Sequence, residues 1–188
     1  MRLLLATRNA HKLREFERLL PTVQLDALPD GIPSPPEDGD TYAANALIKA
    51  RAAAQATGRA AIADDSGIEA AALDGAPGVR TARYAGDDAT DEKNLAKLAR
   101  EAPTGTKLRY VCVIAHVEPG GAEQLFEGTT TGTVAPAPRG SGGFGYDPLF
   151  VPAGETRTMA ELSDAEKDAI SHRGRAARAF EEWFTSHG

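Results

Sequence analysis

The chain has 188 residues, of which 41% are hydrophobic and 26% are charged. This balance is typical of a globular protein, and the length is sufficient for one domain with a sizeable core or for two lobes. The formal net charge of −6 offers no basic surface for duplex nucleic acid. It would also repel a polyphosphate unless lysine and arginine are concentrated locally or a divalent cation intervenes.

The cysteine content and the apolar runs favour a cytoplasmic location. A single cysteine, Cys112, excludes an internal disulfide and suits a reducing compartment. It lies within the apolar run Tyr110–Val117, which favours a small buried side chain over a nucleophile. The N-terminal sequence lacks the apolar length of a signal peptide, and no run approaches the ~18 apolar residues of a membrane span. We therefore expect a cytoplasmic protein with no membrane partner.

Hydrophobic periodicity in the first third of the chain predicts alternating strands and helices. In chain order, the predicted elements are a strand at Leu3–Ala6, a helix over about residues 11–20, a strand at Val23–Leu28, a Pro- and Gly-rich loop at Pro29–Gly39, a long helix capped by Asp40 or Thr41 and ended by Gly58, and a strand that starts with the apolar run Ala60–Ala63 and ends in Asp64-Asp65.

The rest of the chain continues this pattern after a loop over residues 74–90. The predicted elements are a helix at Asp91–Arg100, a hairpin of strands Leu108–Glu118 and Glu123–Val134, a glycine-rich loop over residues 139–148, a short strand at Leu149–Val151, a helix opened by the capping box Ser163–Glu166, a break at Ser171–Gly174, and a terminal helix with a stripe of Ala177, Phe180 and Phe184. No linker interrupts the chain, so we expect one mixed α/β domain over residues 1–188.

The adjacent carboxylates Asp64 and Asp65 are the first candidate site. Neighbouring strand residues point to opposite faces, so only one of the two serves a given cleft easily. Ligands of open α/β sheets bind at the carboxyl ends of strands, where a carboxylate can hold Mg²⁺ or take a proton from water. The alternative is a solvated turn, because Asp, Ser and Gly all favour turns. The motif alone leaves both interpretations open at about even odds.

The segment Thr7–Lys12 is a candidate anion site, because it joins a buried strand to a helix N-terminus. Thr7 and Asn9 add hydrogen-bonding groups, and Lys12 adds a positive charge. The spacing is not that of a P-loop. An ordinary strand–helix turn with an exposed lysine is the alternative.

The glycine-rich loop matches the dinucleotide pattern G-x-G-x-x-G at Gly140–Gly145, but prolines precede it and Tyr146-Asp147-Pro148 follows, so the required strand and helix are missing. The loop presents Phe144, Tyr146 and Asp147, and an aromatic ring with a carboxylate can recognise a base by stacking and hydrogen bonding. The alternative is a hairpin whose aromatic rings belong to the core.

Lys167, His172 and Arg173 lie close together near the predicted helix break. Ammonium, imidazole and guanidinium groups are donors suited to a phosphate or to a purine edge. Charged groups near helix ends are more often simply solvated. The other histidines lack the spacing of zinc ligands.

The motifs and their order together resemble the inosine triphosphate pyrophosphatase family, also called the XTP/dITP diphosphatases. The matching blocks are Thr7-x-Asn9-x-x-Lys12, Ala63-Asp-Asp-Ser-Gly67, Gly75-Ala-Pro-Gly78, Ala82-Arg83-Tyr84, Gly142-Gly-Phe-Gly-Tyr-Asp-Pro148 and Ile170-Ser-His-Arg-Gly174. The resemblance implies an elongated α/β fold with two lobes around a central cleft, usually assembled as a homodimer. It implies a Mg²⁺-dependent hydrolase that converts ITP, dITP or XTP to the monophosphate and pyrophosphate.

The resemblance also implies roles for individual residues. By position, Asp65 matches the base that activates water and a metal ligand, and Glu37 matches a second metal ligand. The residues implied to bind the triphosphate and sugar are Thr7, Arg8, Asn9, Ala10, His11, Lys12 and Ser66. Those implied to bind the nucleotide and recognise its base are Phe144, Gly145, Tyr146, Asp147, Lys167, His172 and Arg173.

One departure from the family pattern concerns the long helix, where Ala44 stands in place of a frequent glutamate. Mg²⁺ commonly takes only one or two protein carboxylates, so Glu37, Asp64 and Asp65 could suffice. Two alternative functions are a related Maf-like pyrophosphatase for other modified or pyrimidine nucleotides and a non-catalytic nucleotide-binding module. The intact Phe144–Asp147 block disfavours the former, and the presence of Asp65 disfavours the latter.

Overall fold

Strands and helices alternate along a chain that a computed structural model describes over residues 2–187. The elements are β1 Arg2–Leu5, α1 Ala10–Leu19, β2 Gln24–Ala27, α2 Tyr42–Thr57, β3 Ala61–Ala70, α3 Asp91–Glu101, β4 Lys107–Val117, β5 Glu123–Val134, β6 Phe150–Pro152, α4 Asp164–Ile170 and α5 His172–His187. The strands form one sheet in the order β2-β1-β3-β4-β5-β6. β1 is parallel to β2 and β3, whereas β5 and β6 are antiparallel, so the predicted mixed α/β class is confirmed.

Local capping chemistry sets the ends of the helices as the sequence predicts. The side chain of Thr41 accepts a hydrogen bond from the N–H of Ala44 at the start of α2, and Gly58 ends this helix in the left-handed conformation with φ 65°. Ser163 and Glu166 form the capping box of α4. The predicted break before the terminal helix is also present, but it is confined to Ser171, because α5 already begins at the next residue.

The strand that carries the two aspartates is longer than predicted. β3 runs from Ala61 through Asp64 and Asp65 to Ala70, so the prediction that it ends at this pair is wrong, and so is the alternative of a solvated turn. β1 is the shorter neighbour: its last paired residue, Leu5, lies opposite Ile62. The two carboxylates therefore lie just beyond the carboxyl end of β1, at the middle of a continuous strand.

The described residues form two compact units, each with its own core. The first contains the chain up to Asp65, then Cys112–Gly128, and the chain from Arg173 onward; the second contains Ser66–Val111 and Thr129–His172. Buried side chains of the first core are Leu3, Leu5, Phe16, Ile62, Ile114 and Phe180. Those of the second are Ile68, Leu98, Leu149, Phe150 and Met159. The predicted stripe on α5 is thus part of the first core.

Among residues 2–187, no helix is both long enough and apolar enough to cross a lipid bilayer.

A glycine in β5 provides a stability test of the second unit. Gly132 pairs with Pro152, and a Cβ added to it would lie 2.3 Å from the carbonyl oxygen of Val151. Because backbone cannot move away cheaply, we expect Gly132→Ala to lower the free energy of unfolding by about 2 kcal/mol, measured by urea denaturation. Gly120→Ala is the control, since nothing lies within 4 Å of its added Cβ. Equal losses in both variants would contradict the close approach of β5 and β6.

Candidate active site

Asp64 is a buried carboxylate held by two cations of the first unit. Its side chain is 1% exposed, and its Oδ2 lies 3.0 Å from Lys12 Nζ and 3.3 Å from Arg173 Nη2. Burial alone would raise the pKa of this carboxyl, but the charges of Lys12 and Arg173 outweigh burial and hold the pKa well below its usual range. Asp64 is therefore ionised at neutral pH, and it is committed to fixing these cations.

The turn before α1 caps the N-terminus of this helix with its own side chains and thereby places Lys12. Asn9 Oδ1 accepts hydrogen bonds from the N–H groups of His11 and Lys12, at 2.9 and 3.3 Å. Thr7 Oγ1 accepts from the N–H of Asn9 at 3.2 Å. The side chains of this predicted anion site thus satisfy part of the helix N-terminus themselves, and Lys12 supplies the positive charge. Ala10 is exposed, as is His11.

Arg173 differs from the prediction in its surroundings. Its guanidinium is 2% exposed, and Nη1 lies 2.5 Å from Glu15 Oε2 while Nη2 faces Asp64. Glu15 is also buried, three residues after Lys12 on α1. To bind a purine, Arg173 would have to break its contact with Glu15 or Asp64 and donate to an oxygen of the base instead. Its contact with the base therefore stays a prediction.

Asp65 and Glu37 converge on one ammonium group. Lys49, on α2, places Nζ 3.3 Å from Glu37 Oε1 and 3.5 Å from Asp65 Oδ1. The other oxygen of Asp65 accepts a hydrogen bond from Asn45 Nδ2 at 3.1 Å, and Asn45 Oδ1 accepts from the N–H of Gly39 at 2.9 Å. The predicted metal carboxylates are thus brought together from a loop and a strand.

The environment of Asp65 gives it a pKa unlike that of its neighbour. Burial raises the pKa of Asp65, and the positive charges of Lys49 and Lys12 offset this rise only in part. A carboxylate with a raised pKa is a stronger base than an ordinary one. The adjacent carboxyls therefore differ in their electrostatics: the pKa of Asp64 is held low and the pKa of Asp65 is raised.

The donor set suits a hard cation. Within residues 2–187 no group of three His, Cys, Asp or Glu side chains is arranged to hold a metal. Mg²⁺ needs fewer, because it binds through one or two carboxylates and completes its shell with water and substrate phosphates. Glu37 and Asp65 each direct one carboxylate oxygen at the same positive charge, the ammonium group of Lys49. These residues fit a magnesium site.

The predicted base-recognition loop closes on itself in the second unit. Asp147 Oδ2 accepts from the N–H of Phe144 at 3.1 Å and from Lys167 Nζ at 2.7 Å, and Oδ1 accepts from the hydroxyl of Tyr110 at 3.0 Å. Lys167 Nζ also lies 5.2 Å from the centre of the Phe144 ring. The structure thus brings Asp147, Phe144 and Lys167 together. The Asp147 carboxylate stabilises the loop through these hydrogen bonds.

His172 stacks on Tyr110 in the same unit, with ring centres 4.4 Å apart and an angle of 9° between the planes. His172 is buried, and the half-buried Ser66 continues β3 directly after Asp65. Of the predicted residues, those that lie in the second unit are Ser66, Phe144, Gly145, Tyr146, Asp147, Lys167 and His172. The chain passes into the first unit between His172 and Arg173.

Three residues that hold this loop lie outside the site predicted from sequence. The sequence indicates Tyr110 only as the start of an apolar run, yet its hydroxyl donates to Asp147. Asp91, at the start of α3, accepts a hydrogen bond from the N–H of Gly145 at 3.1 Å. The hydroxyl of Tyr146 donates to the carbonyl of Thr81 at 2.7 Å. In these three contacts the two partners are separated in sequence by 37, 54 and 65 positions, respectively. The one available signal was that residue 81 adjoins the Ala82-Arg83-Tyr84 motif.

Comparison with known proteins assigns the family. A model of the Ham1 family matches residues 3–183. The chain belongs to the Ham1 family. A dITP/XTP pyrophosphatase of Frankia alni is 49% identical, over 95% of this chain and 94% of the relative. A second, from Streptomyces coelicolor, is 48% identical over the same shares of the two chains.

Solved structures of Ham1 proteins share the fold. The HAM1 protein of Coxiella burnetii superposes with a TM-score of 0.89 and 40% identity, covering 99% of each chain. The Staphylococcus aureus Ham1 protein has a TM-score of 0.88 and 36% identity over 100% of each chain. The family named by resemblance in the sequence is therefore confirmed.

Removing the charge of Lys49 tests the electrostatics of the site. Lys49→Met deletes a cation that lowers the pKa of Asp65, so we expect this pKa to rise further. The protonated fraction of Asp65 at a given pH then increases. The side-chain carboxyl resonance in a pH titration followed by ¹³C NMR measures the change. Lys49→Arg keeps the charge and is the control; an unchanged Asp65 pKa in the methionine variant would contradict the contact.

Proposed function

We propose that the chain hydrolyses deaminated purine nucleoside triphosphates, dITP, XTP and ITP, to the nucleoside monophosphate and pyrophosphate. The observation that carries this proposal is the convergence of Glu37 and Asp65 on one cation, with the pKa of Asp65 raised. The names of the Frankia and Streptomyces relatives support the substrate class.

Glu37 and Asp65 would hold Mg²⁺, which supplies positive charge to the phosphate oxygens and lowers the repulsion between an acidic protein and a polyanion. Asn45 fixes the rotation of the Asp65 carboxylate through its hydrogen bond to Oδ2. Oδ1 is then the oxygen on the Lys49 side. The remaining ligands of the cation would be water and phosphate.

Asp65 would orient the attacking water and take its proton as the water adds to the α-phosphorus. The bond from that phosphorus to the bridging oxygen breaks, and pyrophosphate leaves. Such a reaction depends on positioning and charge stabilisation more than on covalent catalysis. Lys12 would neutralise charge on the phosphates, and Asp64 keeps this ammonium in place.

The residues of the second unit would recognise the base. The ring of Phe144 would stack on the base, and Lys167 would hydrogen-bond to its edge. Inosine and xanthosine carry an oxygen at the purine 6-position, where adenine carries an amino group. A protein N–H that faces this position donates to the oxygen, and it is left unpaired, or opposed by another donor, when adenine binds. This difference would select against ATP.

We further propose that residues 1–188 act as one pyrophosphatase domain, as a homodimer in the cytoplasm without a nucleic-acid partner. The dimer is implied by the resemblance to the family. The location and the missing nucleic-acid partner follow from composition and from the net charge of −6.

A substrate panel tests the proposed function directly. We expect pyrophosphate release from dITP, XTP or ITP to exceed that from ATP and GTP by at least about tenfold in kcat/KM, which corresponds to about 1.4 kcal/mol. We also expect the activity to require Mg²⁺. UTP and dTTP complete the panel, because faster turnover of these pyrimidines would favour the Maf-like alternative. Equal rates for ITP and ATP would refute the proposal.

The two aspartates of β3 provide a matched pair of variants. Asp65→Asn removes the proton acceptor but keeps the shape and the contact with Asn45, so we expect kcat to fall about 10³-fold with little change in melting temperature. Asp64→Asn leaves Lys12 and Arg173 without their shared buried anion, so we expect a clear loss of stability. Steady-state kinetics and thermal unfolding distinguish the two effects. Near-normal turnover by Asp65→Asn would remove Asp65 from catalysis.

A further inference from the structure

Arg8 belongs to the turn predicted to bind phosphate, but its guanidinium contacts the loop that follows β2. Nη1 donates to the carbonyl of Leu28 at 3.1 Å, and Nη2 donates to those of Pro29 and Ile32 at 2.8 and 2.7 Å. Nη1 also lies 3.5 Å from a carboxylate oxygen of Asp30, whose side chain is fully exposed. Three carbonyls of one turn thus share a single side chain as their donor.

The composition of this loop explains why it needs an external donor. Four of the residues in Pro29–Gly39 are prolines, which have no N–H group. The segment therefore has few donors of its own with which to form a hairpin or a helix. The turn contains one backbone hydrogen bond, from the N–H of Ile32 to the carbonyl of Pro29 at 3.1 Å. Arg8 supplies the further donors that hold the turn in one conformation.

The same prolines connect the turn rigidly to the proposed metal ligand. Pro33, Pro35 and Pro36 lie between Ile32 and Glu37. Each proline fixes its own φ and restricts the residue before it to extended conformations. A segment of this kind is a semi-rigid spacer, so fixing Ile32 limits the positions that the Glu37 carboxylate can reach.

The far end of the loop is fixed separately. The N–H of Gly39 donates to Asn45, which also binds Asp65. Glu37 therefore lies between two anchored points. One anchor is shared with the other proposed metal ligand, and the second is Arg8.

We propose that Arg8 is a positioning residue that clamps residues 28–32 and thereby presents Glu37 to the divalent cation, rather than a ligand of the triphosphate. The proposal rests on the magnesium site of the proposed function. Lys12 and the helix N-terminus would carry the phosphate charge without Arg8. The exposed ion pair with Asp30 contributes little, because it is screened by solvent.

Two measurements on Arg8→Ala test the clamp. In the protein without ligands, we expect faster hydrogen exchange in the peptide that spans residues 29–39. In catalysis, we expect the Mg²⁺ concentration for half-maximal activity to rise at least about fivefold at saturating dITP, the effect of losing one to two net hydrogen bonds. We expect kcat at saturating Mg²⁺ to stay within about twofold of wild type, because the reacting groups are unchanged. Mn²⁺ binding followed by electron paramagnetic resonance should weaken in parallel.

Three further variants make the result specific. Asp30→Asn removes the exposed ion pair and keeps the three carbonyl contacts. Arg51→Ala removes an arginine that pairs with Glu123 elsewhere in the first unit. Both are expected to match wild type in exchange and in Mg²⁺ requirement. Arg8→Lys keeps the positive charge but has one nitrogen where Arg8 uses two, so it cannot reproduce the fork that reaches all three carbonyls. It should therefore resemble Arg8→Ala, and it serves as the test variant if the alanine variant does not fold.

A phosphate-binding Arg8 gives a different outcome. In that case Arg8→Ala raises the KM for dITP, while loop exchange and the Mg²⁺ requirement stay at wild-type values, and the clamp is refuted. Faster loop exchange with an unchanged Mg²⁺ requirement also refutes the link to Glu37. If the wild-type protein fails to hydrolyse dITP, XTP and ITP, the proposed function fails, whereas loop exchange and Mn²⁺ binding still decide whether Arg8 positions Glu37.

Discussion

The buried charge of Asp64 is the constraint on which the first unit depends. An isolated carboxylate at 1% exposure would be protonated or would unfold its surroundings, because desolvation of an ion costs several kcal/mol. It remains ionised because Lys12 comes from the first turn of α1 and Arg173 from the first turn of α5. Burial of this one anion therefore requires that two helix N-termini and the middle of β3 meet. A substitution at any member removes one of the ion pairs that balance this buried charge.

Successive side chains of a β-strand point to opposite faces, so two adjacent carboxylates can have different surroundings and opposite pKa shifts. Asp64 faces cations that hold its pKa down, whereas Asp65 faces Asn45 and one shared ammonium, so burial raises its pKa. Had the pair lain in a flexible turn, both would be solvated and neither pKa would depart far from its usual value. Continuing β3 through this pair thus places the two carboxyls in different environments and shifts their pKa values in opposite directions.

Features that depend on residues close in sequence could be predicted, whereas contacts between residues far apart in sequence could not. Caps such as Thr41 and Ser163 act within three residues, so the sequence predicts Ser163 correctly and limits the cap of α2 to Asp40 or Thr41, of which Thr41 is the one observed. The strand through Asp64 and Asp65 was not, because turn-forming residues were overridden by pairing within the sheet. The identities of the site residues came from motif resemblance. Their partners did not: Arg8 reaches carbonyls 20 to 24 residues away, and no local pattern indicates which turn it holds.

The cations of the first unit also explain why an acidic protein would need a metal to bind a polyphosphate. Lys12, Lys49 and Arg173 concentrate positive charge, but each already contacts a carboxylate. With Glu15, Glu37, Asp64 and Asp65 as the facing carboxylates, four negative charges oppose three positive ones. A triphosphate that approached these carboxylates alone would be repelled by them. A divalent cation held by Glu37 and Asp65 would offset this repulsion. It would also release Lys49 from the two carboxylates, because like charges cannot share that position, and free its ammonium for phosphate oxygens. Arranged in this way, the metal and the substrate would bind cooperatively.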